Sequence, residues 1–288
     1  MRLMLEVMPP PKRANAESTI ATVAKIKDAA SKLGSVEFLN VPEVTEENYA
    51  GVPLYKQKDV SEFASILHNS THIDVVVNKV AAYLPSENDF VSWLEKSVKV
   101  YDIHNFVFVG GNSHSRKYPG PTVVRADEIA SRMKKVNVGN ICIPSRQHEL
   151  ERLMSKTRGG ASFFTTQIIF ESASVKHLLD KYYAQCRNNR LEPVPFFISL
   201  APVATSYDLD FFEWLGAIIP AAADSKLRKS VDIVSASVRM ELDIFSDILD
   251  FIRGRHMDIE ISPNVEAVSN ANLDAACGLA EAITRKYG

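Results

Sequence analysis

The stretch that decides the fold lies near the N-terminus and reads Leu3-Met4-Leu5-Glu6-Val7-Met8-Pro9-Pro10-Pro11-Lys12. Its first six residues are apolar except for Glu6, a composition typical of a buried strand. The three prolines cannot extend a central strand, so we expect the strand to end there, at a rim. Burial among Leu, Val and Met side chains would desolvate the Glu6 carboxylate and raise its pKa toward the range of a working acid.

Short apolar runs of this kind alternate with longer amphipathic segments from end to end of the chain. Eight strands, each followed by a helix, predict an α/β fold of the (β/α)8 TIM barrel type. A doubly wound open sheet uses the same alternation, but count and length favour the barrel, and no GxGxxG follows the first strand. An apolar helical pattern over residues 217–251 predicts extra helix before the last strand. The predicted strands are residues 2–8, 35–41, 73–77, 105–109, 137–143, 162–170, 194–200 and 257–261.

The composition bounds the class of protein. At 288 residues and 46% hydrophobic content, with no Gly/Ser-rich linker, the chain is predicted to form a single domain over residues 1–288. The net charge is −2 with Lys and Arg scattered, so a nucleic-acid partner is not expected. No apolar stretch approaches the ~20 residues of a membrane helix, and no signal-peptide pattern is present, so we expect a soluble cytoplasmic protein with a small-molecule substrate. A homo-oligomer remains open.

Cysteine spacing and the standard catalytic motifs exclude several further classes. Cys142, Cys186 and Cys277 are odd in number, far apart and outside any CxxC pattern, so neither a disulfide framework nor a zinc site is predicted. The chain contains no GxSxG elbow, no GxxxxGK[ST] loop and no HExxH. Serine hydrolase, P-loop NTPase and zincin functions therefore have no support, and no metal site is expected.

Polar residues occur where the predicted strands end. In a TIM barrel the active site lies at the carboxyl ends of the strands, so these positions are the candidate site. They are Glu6 on the first strand, Asn40 on the second, Asn78 and Lys79 after the third, Gly110-Gly111-Asn112 after the fourth, Gln167 on the sixth and Ser262-Pro263-Asn264 after the last.

Each of these features has a structural alternative. Gly110 and Gly111 let the backbone approach a flat ligand closely, or they form a tight turn. The Gln167 amide can bind a pterin edge or a carboxamide, or it makes a structural hydrogen bond inside the barrel. Glu149 and Lys156 are seven residues apart on one helix face, which is by default a solvated face.

The residues resemble a known family, the methylenetetrahydrofolate reductases, which are flavoprotein (β/α)8 barrels. Leu5-Glu6-Val7-Met8-Pro9-Pro10-Pro11-Lys12 is similar to the family's opening FEFFPPK, and Gly110-Gly111-Asn112 stands where the family has RGD. Thr165-Thr166-Gln167-Ile168-Ile169-Phe170 is similar to the family's ITQ followed by aromatics. The three anchors occur in the family's order, and the likeness in length covers the chain as a catalytic domain without a regulatory extension.

The resemblance implies a function in one-carbon metabolism and methionine biosynthesis: reduction of 5,10-methylenetetrahydrofolate, or a related pterin C1 carrier, to the 5-methyl form. It implies bound FAD, with NADH or NADPH as co-substrate. Glu6 corresponds to the general acid that protonates the folate as its five-membered ring opens to an iminium. Gln167 corresponds to the glutamine that contacts pterin and nicotinamide in turn.

The resemblance also assigns a flavin site. Lys156 corresponds to the lysine of the flavin pyrophosphate, Glu149 to an acidic residue that holds ribitol or ribose hydroxyls, and Tyr118 to a tyrosine beside the cofactor. The glycine pair Gly110-Gly111 belongs to the same site.

The chain departs from the family pattern at three points. Asn112, in the catalytic set with Glu6 and Gln167, replaces the family's aspartate, so the hydrogen-bonding shape is kept and the charge is lost. The loop before Glu149 is shorter than usual, and Asn264-Val265 lacks the usual arginine. Two alternatives therefore stay open beside the flavoenzyme: a flavin-independent folate or pterin reductase, and a non-catalytic pterin- or flavin-binding partner subunit.

Overall fold

The protein is a closed barrel of eight parallel strands surrounded by helices. The computed structural model describes residues 1–48, 52–111, 116–269 and 272–288. Around the barrel the strands run in the order β1-β10-β9-β8-β7-β6-β5-β2, and every neighbouring pair is parallel. The predicted (β/α)8 TIM barrel is confirmed. Its strands are β1 (Leu3–Val7), β2 (Val36–Pro42), β5 (Asp74–Val80), β6 (Asn105–Val109), β7 (Asn137–Cys142), β8 (Phe163–Thr166), β9 (Phe196–Leu200) and β10 (Ile261–Ala267).

Ten α-helices cover the barrel in the described part of the chain. The extra helix predicted over residues 217–251 is present, and it consists of two helices, Ala221–Arg228 and Ile233–Gly254, rather than one. The helices are α1 (Ala16–Leu33), α2 (Val60–Thr71), α3 (Glu87–Lys99), α4 (Val123–Ala130), α5 (Glu149–Arg158), α6 (Ala173–Asn189), α7 (Ser206–Trp214), α8 (Ala221–Arg228), α9 (Ile233–Gly254) and α10 (Leu273–Tyr287).

Local sequence signals explain where the helices begin and end. The Asn15 side chain accepts a hydrogen bond from the Ser18 backbone N–H and caps α1. Gly34, with φ of 63°, ends the same helix in the left-handed conformation that glycine adopts without strain. Ser86 caps α3 in the same way through the Asp89 N–H.

A short antiparallel ladder, β3 (Glu46–Glu47) with β4 (Pro53–Leu54), lies after β2 and was not predicted. The proline segment after β1 contacts the chain next to this ladder. The Lys12 N–H donates to the Lys56 carbonyl at 2.7 Å, and Pro11 forms a bridge with Gln57. The segment that ends the first strand is therefore fixed against the mouth of the barrel.

Two apolar layers hold the barrel. The larger lies between the strands and the helices, and the smaller fills the inside of the barrel with Met4, Val76, Val107, Phe163 and Phe197. Successive strand residues face opposite sides, so this inner layer identifies the inward position of each strand.

The predicted bounds of the last strand are wrong. Residues 257–261 were predicted, whereas β10 begins at Ile261 and ends at Ala267. Pro263 was taken to end the strand, but it pairs with Ile198 inside the barrel and removes only its own N–H from the ladder. The extension adds Glu266 to the strand, opposite Glu6.

Candidate functional site

A polar layer lies above the inner apolar layer, at the carboxyl ends of the strands. Glu6 follows Met4 by two residues on β1, so its side chain faces the inside of the barrel. The same spacing places Asn78 after Val76 and Thr165 after Phe163. The remaining members are Asn40, Ser199, Asn264 and Glu266, and we call these seven residues the polar floor.

Two carboxyl groups form the centre of the polar floor. Glu6 and Glu266 pair across neighbouring strands β1 and β10 and are 8% and 7% exposed. Asn40 Nδ2 donates to Glu6 Oε2 at 2.5 Å. On the other side, Asn264 Nδ2 donates to Glu266 Oε1 at 3.1 Å and to Ser199 Oγ at 3.0 Å. Each acid is therefore positioned by an asparagine amide.

Burial changes the protonation of both acids. Burial raises the pKa of Glu6 well above its ordinary value, and the charge of Glu266 raises it further, against smaller lowering effects of Asn264 and Asn40. Burial also raises the pKa of Glu266 to about 7, with hydrogen bonds from Ser199 and Glu6 opposing it. The raised pKa expected from the sequence for Glu6 thus agrees with its surroundings, and Glu6 is the group that keeps its proton.

A third carboxyl group comes from helix α9. Glu241 is 1% exposed, and neither of its oxygens has a hydrogen-bond partner at normal geometry. Burial raises the pKa of Glu241 well above its ordinary value, the charge of Glu266 adds to this, and the nearby Ala201 backbone N–H lowers it by less. Glu241 is therefore a neutral acid behind the floor.

Several acceptor atoms of the polar floor have no donor. The side-chain oxygens of Asn40, Asn78 and Asn264 are buried without a hydrogen-bond partner, and so is Thr165 Oγ. Native proteins leave few buried polar atoms unpaired, so a group of them at one surface indicates a ligand or ordered water that supplies donors. These four atoms are therefore buried polar positions of the floor that the described part of the chain leaves without a hydrogen-bond partner.

Gln167 lies directly after β8, in the inward register of Thr165. Its Nε2 donates to the Leu215 carbonyl at 2.7 Å, so one amide donor is held by the segment after α7. The Ile168 N–H donates to Gln167 Oε1 at 3.2 Å. The structural role considered for this glutamine is therefore present, and its contact with a pterin or nicotinamide stays a prediction.

The glycine pair after β6 has a local explanation. A Cβ atom on Gly111 would lie 2.2 Å from a ring carbon of Tyr118, so the tyrosine ring packs where a side chain would be. Tyr118 also donates from its hydroxyl to Glu47 Oε1 at 2.7 Å and packs against the Tyr83 ring. Asn112, predicted as a catalytic residue, lies outside the described residues.

Two clefts lie among the carboxyl ends of the strands and the loops next to them. One of ≈ 450 Å³ is lined by Val80, Val109 and Gly110 at strand ends and by Trp214 above them. The other, of ≈ 430 Å³, is lined by Lys79, Trp93 and their neighbours. Glu43 contributes to both clefts and links the two spaces.

The second cleft contains a buried ion pair. Lys79 Nζ lies 2.5 Å from Glu43 Oε1, with side chains 5% and 7% exposed, and it lies over the Trp93 and Tyr55 rings at 5.4 and 5.7 Å. The Val80 N–H also donates to Glu43 at 3.0 Å. Burial still raises the pKa of Glu43, because desolvation outweighs the attraction of Lys79.

Glu149 and Lys156 make internal contacts in this structure. Glu149 is 2% exposed; its Oε1 accepts from the Ile143 N–H at 2.9 Å, and its Oε2 lies 2.6 Å from Arg146. Lys156 Nζ donates to the Ile141 carbonyl at 2.9 Å, and burial lowers its pKa. As placed, the two side chains fix strand β7 and the loop after it, and their contact with a flavin stays a prediction.

The structure therefore brings Glu6 together with Asn40, one of the strand-end positions expected from the sequence, and with two residues that the sequence interpretation did not select, Glu266 and, behind it, Glu241. Asn40 carried a signal, since it follows Phe38 in the inward register of β2. Glu241 carried another, because a carboxylate at a core-facing position of an apolar helix is unusual. Glu266 was missed because the last strand was predicted to end at residue 261, before this position.

Two kinds of feature are absent from the described residues, 1–48, 52–111, 116–269 and 272–288. Among those residues no group of three or more His, Cys, Asp or Glu side chains is arranged to hold a metal ion. No helix there has the length and apolar character needed to cross a bilayer.

Comparison with known proteins supports the fold. No protein-family model matches the sequence, and no curated protein matches it significantly. Among solved structures, an uncharacterized protein from Clostridium thermocellum that binds two copies of 5-methyl-5,6,7,8-tetrahydrofolic acid is similar with a TM-score of 0.82. The identity is 21%, over 99% of this chain and 96% of that chain.

Two dihydropteroate synthases align less well. The enzymes from Xanthomonas albilineans and Vibrio fischeri have TM-scores of 0.49 at 14% and 12% identity. These alignments cover 98% and 100% of this chain and 93% and 94% of those chains, and at such scores they carry no argument. The chain therefore shares its whole fold with the barrel from Clostridium thermocellum.

Proposed function

We propose that the protein binds a reduced folate, with the pterin ring on the polar floor at the carboxyl ends of the barrel strands. The observation that carries this proposal is the set of buried acceptor atoms without donors, on Asn40, Asn78 and Asn264. The amino-pyrimidinone ring of a reduced pterin is flat and presents several N–H donors, which matches such a surface. A protein of the same fold binds 5-methyltetrahydrofolate, which supports the choice of ligand class.

The proposed reaction is the reduction of 5,10-methylenetetrahydrofolate to the 5-methyl form with NAD(P)H. Glu6, buried and carrying a proton, donates that proton to the ring nitrogen that leaves the methylene carbon, and the carbon becomes an iminium on the other nitrogen. The nicotinamide supplies the hydride that reduces this carbon. Atoms and charge balance, since one hydride and one proton are consumed.

FAD is the cofactor that the sequence resemblance implies as the hydride carrier in this reaction. The inward contacts of Glu149 and Lys156 favour the second candidate, direct transfer from the nicotinamide without flavin. An absorption spectrum of the purified protein tests the choice. Visible flavin bands, together with turnover that stops when the flavin is stripped, support the flavoenzyme, and turnover without flavin supports the second candidate.

Binding is measured first, by calorimetric titration with 5-methyltetrahydrofolate. We expect saturable binding, and Glu6→Gln should keep it while lowering turnover of methylenetetrahydrofolate by about 100-fold or more, the usual contribution of a general acid. The matched control is Glu281→Gln, an exposed carboxylate on α10. Absence of folate binding in the wild type would refute the proposal, and binding without turnover would indicate a partner subunit.

A further inference from the structure

The Glu6 side chain faces another carboxyl group rather than a cation. Glu6 and Glu266 occupy paired positions on β1 and β10, strands about 4.8 Å apart. Both side chains face the inside of the barrel, and both are more than nine-tenths buried. Two carboxylates at this separation cannot both be ionised without a compensating charge.

The surroundings supply no such charge among the described residues. From β2 and β9 the neighbours are neutral, Asn40 and Ser199. From α9 the facing group is Glu241, itself an acid. The largest effects on the pKa values of these three carboxyl groups come from burial, from one another and from neutral hydrogen-bonding groups.

The asparagines show which carboxyl oxygens remain for a proton. Asn40 donates to Glu6 and Asn264 donates to Glu266, so each acid has one stabilised acceptor oxygen. The carbonyl oxygens of the same two amides are buried and have no hydrogen-bond partner. A ligand with N–H donors would pair these oxygens while meeting the carboxyl pair at the centre.

We propose that Glu266 is a positioning residue for Glu6: the two carboxyl groups share a single proton, which Glu6 carries and donates in a hydrogen bond to the ionised Glu266. The direction follows from the opposite effects of their contact, which favours the protonated form of Glu6 and the ionised form of Glu266. Glu266 thereby keeps Glu6 protonated near neutral pH. A catalytic role for Glu266 rests on the proposed function, whereas the sharing of a proton between the two carboxyl groups does not.

The test is a titration of the ligand-free protein followed by carbon NMR, with glutamate labelled at the side-chain carboxyl carbon. The Glu6 signal is identified by its loss in Glu6→Gln. In the wild type we expect Glu6 and Glu266 to report the same two steps, separated by more than about one pH unit. In Glu266→Gln the Glu6 signal should titrate in one step, at least about one pH unit below the upper step of the wild type.

Two variants keep the test decisive. Glu266→Asp retains a carboxyl group and should restore two-step titration, while the exposed Glu281→Gln should leave both signals unchanged. If Glu266→Gln does not fold, the titration of Glu266 is measured in Glu6→Gln instead, and Glu266 should then titrate in one step. An unchanged Glu6 midpoint in Glu266→Gln, or an unchanged Glu266 titration in Glu6→Gln, overturns the proton sharing.

Ligand titration separates the two proposals. Wild-type affinity for 5-methyltetrahydrofolate should depend on pH across the steps of the carboxyl pair, and Glu266→Gln should flatten that dependence. If neither protein binds the folate at any pH, the proposed function fails, while the NMR titration still decides whether the proton is shared. If both bind with the same pH profile, the positioning role of Glu266 is refuted and the folate site stands.

Discussion

Replacement of Glu266 by glutamine should remove one part of the dependence of the protein's stability on pH. The folded state raises the pKa of Glu266 from 4.5 to about 7. A carboxyl group with a raised pKa binds its proton more tightly in the folded than in the unfolded chain. Its contribution to stability is therefore complete below about pH 4.5 and is lost as the pH rises to about 7.

The size of the effect follows from that difference in pKa. Each unit of pKa difference between the folded and unfolded states is worth about 1.4 kcal/mol, so the free energy of unfolding should fall by about 3 kcal/mol over this range because of Glu266 alone. A typical domain is stable by about 5–15 kcal/mol, so the loss is a large share of the total. Mild acid should stabilise this protein.

Urea unfolding at several pH values between about 4.5 and 8 measures the effect. The difference in unfolding free energy between Glu266→Gln and the wild type should grow by about 3 kcal/mol in favour of the variant as the pH rises. Glu281→Gln, which removes an exposed carboxylate, should follow the wild type throughout. Parallel pH profiles of Glu266→Gln and the wild type would refute the assignment of a raised pKa to Glu266.

Two further predictions concern packing and charge. A Cβ atom on Gly139 would lie 2.2 Å from the Phe163 ring inside the barrel, so Gly139→Ala should lower the unfolding free energy by about 1–3 kcal/mol. The helical Gly278 has no atom within 4 Å of such a Cβ, so Gly278→Ala should leave the unfolding free energy unchanged or raise it by up to about 1 kcal/mol. Thermal unfolding compares the two variants, and equal midpoints would contradict this prediction. Lys79→Met should lower the unfolding free energy by about 3–5 kcal/mol, because it leaves the buried Glu43 carboxylate without its cation. Adding Glu43→Gln should recover part of this loss, as measured by chemical denaturation. No recovery in the double variant would contradict the pairing of Lys79 with Glu43.

The sequence was sufficient for the architecture because the barrel depends on a repeated pattern. Each apolar run followed by an amphipathic segment predicts one strand and its helix, and eight such units close a sheet regardless of the detail of any one of them. The position of Glu6 near the end of a strand could also be predicted from its neighbours in the chain, since three prolines follow it within a few residues. Such features depend on neighbours in the chain.

The pairing of Glu6 with Glu266 depends on neighbours in space, and for that reason it was not predicted. Glu266 and Glu6 are far apart in sequence and meet because β10 closes the barrel beside β1. The pattern around Pro263 suggested an early end to that strand, because a proline is unusual in a central strand. The contacts of Glu149 and Lys156 depend likewise on how α5 packs onto β7, which their spacing on the helix does not reveal.

The apolar layer of Met4, Val76, Val107, Phe163 and Phe197 determines from which side the two acids can be approached. It closes the inside of the barrel beneath the two acids, and at the far end the Arg2 guanidinium lies 5.1 Å from the centre of the Phe197 ring. Among the described residues, the side of Glu6 away from this layer is the side of the carboxyl ends of the strands. Under the proposed function a ligand seated there would cover Glu6, so we expect Glu6 to regain its proton after the product has left rather than while the ligand is bound.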